Sequence, residues 1–106
     1  MNGLWIAHYK RADGSDGNGI VMFRAGEIMG GDFVRVWTGT FEEEGSHLSA
    51  RLRVVPCMSR EERGTMAKEK PIMVTLTGCF GERDAVLTGC PDESDTPVTI
   101  EMYKAA

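Results

Sequence analysis

The sequence predicts an all-β fold, an eight-stranded antiparallel up-and-down barrel, and three observations carry that expectation. Short runs of alternating apolar and polar residues recur along the chain, turn-forming residues separate nearly all of them, and glycine is abundant, at 13 of 106 residues. Glycine costs backbone entropy wherever a turn or a close approach does not need it, so this excess implies many tight turns or sharply bent strands.

In order, the strand-like runs are Gly3 to Tyr9, Gly19 to Arg24, Glu27 to Gly30, Phe33 to Glu42, His47 to Val55, Ile72 to Phe80, Ala85 to Gly89 and Val98 to Tyr103. Between the first two, Asp13 to Gly19 reads as a flexible turn. With Glu43 to Ser46 as a loop, Phe41 opposes Leu48, Gly39 opposes Ala50 and Trp37 opposes Leu52, which leaves one apolar and one polar face. Folding back at Gly81 to Asp84 sets Phe80 against Ala85, Gly78 against Leu87 and Leu76 against Gly89. Each large side chain then meets a small one, as a narrow curved interior requires, and this favours a barrel over an open sandwich. In the last run Val98, Ile100 and Met102 share a face, so it can close the sheet against the first.

The charged stretch Ser59 to Lys70 reads as a loop, and Ser59 and Glu62 have the capping-box spacing of one short helical turn within it. A length of 106 residues suits one domain over 1–106, with no internal repeat or linker. The net charge of −4 opposes direct nucleic-acid binding, because phosphate recognition draws on clustered Lys and Arg. No apolar run approaches the roughly 20 residues of a spanning helix, and no signal-peptide pattern opens the sequence. Together with three scattered cysteines, Cys57, Cys79 and Cys90, which read as reduced thiols, this leads us to expect a cytoplasmic protein.

Catalytic chemistry finds no motif. Gly30-Gly31-Asp32-Phe33 is followed by Val34 rather than the second acid that a cyclase-type metal site needs, and reads as a turn with both glycines at positive φ. The acidic Asp13 segment puts Asn18 where a calcium loop needs glycine and Arg24 where it needs the bidentate Glu. His8, His47 and the cysteines lack zinc-ligand spacing, and no Ser or Cys sits in a nucleophile motif. Neither an enzyme nor a metal or cofactor site is expected. Two binding features remain. Glu42, Glu43 and Glu44 stand at a hairpin tip, where a carboxylate cluster can meet a basic partner, and Trp37, Phe41, Leu52, Leu76 and Phe80 face inward, where they can line a cavity for an apolar ligand.

The stretch Gly19 to Val55 resembles the GrlR-like proteins, negative regulators of type III secretion. The resemblance rests on the hairpin at Arg24 to Glu27, the Gly30 to Asp32 turn, the Trp37-x-Gly39-x-Phe41 strand and the acidic loop Glu42 to Glu44, with weaker similarity through Gly3 to Tyr9 and Leu76 to Gly89. It implies a lipocalin-like barrel that forms a homodimer and sequesters a helix-turn-helix transcription activator through an acidic loop, here Glu43 and Glu44. The resulting expectation is a non-enzymatic regulator that binds a protein partner. A small apolar-ligand carrier is the alternative. Met22, Val36 and Val55 have no evident place inside, which is consistent with an outward apolar patch at a dimer interface.

Overall fold

The computed structural model describes residues 1–56 and 71–106. Eight strands run β1 (Gly3–Arg11), β2 (Asp16–Arg24), β3 (Glu27–Gly31), β4 (Arg35–Glu44), β5 (His47–Pro56), β6 (Ile72–Phe80), β7 (Asp84–Pro91) and β8 (Val98–Lys104). Each pairs antiparallel with its neighbour in sequence, and β8 returns to β1, so the sheet closes as an eight-stranded up-and-down barrel. Closure leaves no edge strand to template aggregation. The helical turn expected at Ser59 to Glu62 lies outside the described residues.

Alternation places the interior as the hydrophobic pattern requires. Trp5, Val21, Phe23, Ile28, Leu48, Leu76, Leu87 and Met102 are all buried, and among the described residues no polar or charged side chain is. The β6–β7 hairpin has the expected register, with Phe80 opposite Ala85, Gly78 opposite Leu87 and Leu76 opposite Gly89.

The β4–β5 hairpin differs from expectation by two residues. Phe41 lies opposite Ala50, Gly39 opposite Leu52 and Trp37 opposite Val54, because the strands continue through Glu44 and His47 and turn on Gly45 and Ser46 alone. Gly45 takes a φ of 61°, which suits the first central position of a two-residue hairpin turn whose twist matches the strands. A slip of two keeps every side chain on its face, so the pattern of faces survives while the partners change. The first hairpin is likewise tighter than expected: β2 begins at Asp16, and Asp13 turns the chain by accepting hydrogen bonds from the Ser15 amide at 2.8 Å and the Ser15 hydroxyl at 2.6 Å.

Gly30 and Gly31 also differ from expectation. They end β3 rather than forming a positive-φ turn, and what excludes larger residues is proximity: a Cβ on Gly30 would strike the Ile20 carbonyl, and one on Gly31 the Arg35 carbonyl. Gly39, Gly78 and Gly89 show the same crowding against the carbonyls of Arg51, Val86 and Thr75, which is how the wall bends within single strands.

Candidate ligand cavity

The two ends of the barrel are filled differently. At the end carrying the β2–β3, β4–β5 and β6–β7 turns, Trp5, Phe23 and Phe41 meet edge to face, with centroids 6.4 Å apart for Trp5–Phe23 and 5.1 Å for Phe23–Phe41. Leu48 and Met102 pack beside them, and the Trp5 indole N–H donates to the Met1 carbonyl at 2.7 Å. That end is solid.

Toward the opposite end, which carries the β1–β2, β3–β4 and β7–β8 connections, the interior holds a cavity of about 560 Å³. This lies within the range of small-molecule sites. Trp37, Leu52 and Leu76, three of the five inward residues expected to line a cavity, do line it, joined by Val54, Ile100 and Met102. Phe41 and Phe80 do not: Phe41 belongs to the aromatic cluster of the other end, and Phe80, at the end of β6, lines a separate pocket there with Ala85 and Tyr103. Phe23 floors the cavity, so the ring cluster also sets its depth.

Two aromatic rings stand at the wall near the mouth. Tyr9 lies over Gly17, opposite it on β2, and Trp37 lies over Gly19; a Cβ on either glycine would strike the ring above it. The rings meet edge to face with centroids 5.7 Å apart. The Tyr9 hydroxyl donates to Asp32 Oδ2, and Asp32 Oδ1 accepts the backbone N–H groups of Val34 at 2.8 Å and Arg35 at 2.7 Å. Burial pushes the Tyr9 hydroxyl above its ordinary pKa of 10.0, and the neighbouring Asp32 carboxylate adds to the rise. Burial also opposes ionisation of Asp32, but its Tyr9, Val34 and Arg35 donors outweigh that and hold its carboxyl below the ordinary 3.8. Tyr9 and Asp32 thus act as a clasp between β1 and the β3–β4 turn.

Around the mouth stand Arg11, Asp13, Arg35, Asp92 and Glu93. Asp92 is bound by Arg51, whose guanidinium spans both carboxylate oxygens and also reaches the Thr75 hydroxyl; this holds the Asp92 carboxyl below its usual range. Alternation alone puts Tyr9 on the inward side, as it does Trp37, but the sequence reads Asp32 only as part of a turn and marks neither Arg11 nor Arg35. The one local signal was the alternation of Gly17 and Gly19 early in β2, which leaves room for rings on neighbouring strands.

Glu42, Glu43 and Glu44 are exposed, but they continue β4 instead of forming the tip, and they do not act as one cluster. Glu43 follows the inward phase of Trp37 and Phe41 and accepts the N-terminal ammonium of Met1 at 2.6 Å, while Glu42 and Glu44 take the outward phase. On the outer wall Tyr103 pairs with Ile6 and Ile6 with Ile20, and Met22 pairs with Met29; all five are exposed, as is Val36. Met22 and Val36 therefore point outward, and Val55, opposite Val36, is half-buried. Among the described residues no three His, Cys, Asp or Glu side chains are grouped to hold a metal ion, and no helix is long and apolar enough to cross a membrane.

No protein-family model matches the chain, and no curated protein matches it. Among solved structures it is similar to a redesigned beta barrel, with a TM-score of 0.55 over 100% of this chain and 92% of that one at 10% identity. A likeness at that identity is one of fold.

Proposed function

We propose that this chain is a non-enzymatic binding protein that holds a small apolar molecule in the open half of its barrel. One observation carries the reading: about 560 Å³ of interior remains unfilled beneath Trp37, walled by Leu52, Leu76 and Ile100. Interiors normally pack with few voids larger than a water molecule, so a space of this size loses dispersion contacts that a ligand would restore. The test is titration with an environment-sensitive apolar dye, N-phenyl-1-naphthylamine, against the native chain and Val54→Trp. The native chain gives a saturable 1:1 enhancement, and the indole, placed in the cavity wall, abolishes it while the melting transition stays cooperative. No enhancement with the native chain, or an unchanged one with Val54→Trp, rejects the reading.

A second reading is a regulator that acts by binding protein, as the GrlR-like resemblance implies, and the outer wall supports it. Ile6, Ile20, Met22, Met29, Val36 and Tyr103 give adjacent strands an exposed apolar face of the kind that marks association sites. In this reading the face joins two copies, and Glu42 and Glu44 remain available to a basic partner such as a transcription activator. Light scattering at micromolar concentration then gives the dimer mass, and Ile20→Lys gives the monomer. A monomer mass for the native chain removes the self-association.

A further inference from the structure

The cavity and its mouth differ in chemistry, and together they specify more than an apolar ligand. The deeper wall, from Phe23 through Leu76 to Met102, offers no buried polar side chain among the described residues, so a hydrogen-bonding group carried to that depth would go unpaired. Among the described residues the charged side chains of the lining stand at the mouth. There Arg11, at the end of β1, and Arg35, at the start of β4, stand in the same phase as the inward residues Tyr9 and Trp37, and both are half-buried. Both side chains belong to the lining of the cavity, as Tyr9 does.

The acidic groups nearby are mostly engaged by donors of their own. Asp32 is held by Tyr9, Val34 and Arg35 backbone, Asp13 by Ser15, and Asp92 by Arg51. Glu93 is the exception and lies exposed on the β7–β8 connection. Among the described residues neither the Arg11 nor the Arg35 side chain donates a hydrogen bond or forms an ion pair. Two half-buried guanidiniums with unused donors at the lip of an oily cavity suit a planar anion, because the guanidinium fork matches a carboxylate in shape as well as charge.

We infer that the ligand is an anionic amphiphile of the fatty-acid type, which enters tail first and leaves its carboxylate between Arg11 and Arg35. The inference rests on the cavity-binding reading and adds the chemistry of the head and the direction of entry. The tail takes the space under Trp37 and ends near Phe23. Tyr9 is not a head-group contact, since its hydroxyl already donates its hydrogen bond to Asp32.

The experiment compares dodecanoate, dodecan-1-ol and dodecylamine, each below its micelle concentration, by displacement of N-phenyl-1-naphthylamine from the native chain and from Arg11→Gln/Arg35→Gln. Dodecanoate is expected to bind the native chain about tenfold tighter than the alcohol, as charge-assisted hydrogen bonds at a partly exposed rim allow, with the amine weakest. In the double variant the three Kd values converge, and the alcohol keeps its native affinity. Shortening the carboxylate by one CH2 weakens it by about threefold to fourfold, the transfer free energy of one methylene. Equal binding of the three probes by the native chain, or preference for the amine, overturns the head-group assignment and leaves the cavity reading standing. Failure of all three to displace a bound dye overturns the assignment too, whereas failure of the dye itself to bind overturns both. The probe comparison on the native chain decides the matter even if the double variant does not fold.

Discussion

At the solid end of the barrel Trp5, Phe23 and Phe41 interlock edge to face, whereas at the open end Tyr9 and Trp37 stand against glycines at the wall beside the cavity. The same alternating strands build both ends. The difference lies in what the rings pack against: at the solid end they meet one another, and at the open end Tyr9 and Trp37 also lie over Gly17 and Gly19 at the wall. One half of the molecule thus supplies cohesion, and the other trades packing for space, the usual cost of a binding site.

That division is broken most directly by truncation on each side. Phe23→Ala removes the ring shared by both aromatic contacts and is expected to cost about 3–5 kcal/mol, as buried Phe to Ala changes do. Val54→Ala, at a half-buried cavity wall, is expected to cost about 1 kcal/mol or less, since the site already lacks neighbours on one side. Urea denaturation measures both, and equal losses would contradict the division.

Tyr9→Phe sharpens the comparison at the open end. Loss of the hydroxyl bond to Asp32 is expected to cost about 1–2 kcal/mol, as for a hydrogen bond to a charged acceptor. Its pH dependence has two limbs. Asp32 titrates lower in the folded chain than its ordinary 3.8, so its contribution is present above that pH and is lost as pH falls through the folded value. Tyr9 titrates higher than its ordinary 10.0, so its contribution is present below pH 10.0 and is lost as pH rises toward the folded value. Melting temperatures across pH should show both limbs reduced in Tyr9→Phe, and an unaltered profile would dissolve the clasp.

The smallest expected change is a gain at the solid end. Ala25 turns β2 into β3 with a φ of 51°, and with Gly26 at 81° both central residues of this hairpin turn are left-handed. A Cβ residue other than Asn or Asp is strained there, so Ala25→Asn is expected to add about 0.5–1 kcal/mol, measured as a higher melting temperature. A loss would mean that the turn is held by contacts beyond its own backbone.

Much of this architecture can be read from the residues, and the parts that cannot share a cause. Strand order and faces follow from period-two alternation, and in β6–β7 even the partners follow, because Gly78 and Gly89 must each face a large side chain. In β4–β5 alternation cannot separate registers two residues apart, and Glu43 and Glu44 read as loop although their backbone pairs with β5. Alternation also says which side a ring occupies but not which end, so Trp37 and Phe41 looked equivalent while the barrel gives one to a cavity and the other to a plug. The clasp joins residues 23 apart in sequence across the mouth, and no local pattern marks such a contact.

The most direct test of the account follows methyl resonances during titration with dodecanoate below its micelle concentration. Saturable shifts are predicted at Leu52, Val74, Leu76 and Ile100 around the cavity, with Leu48 at the solid end and Ile6 and Ile20 on the outer wall nearly still. Shifts confined to Ile6 and Ile20, or none at any methyl, would contradict it.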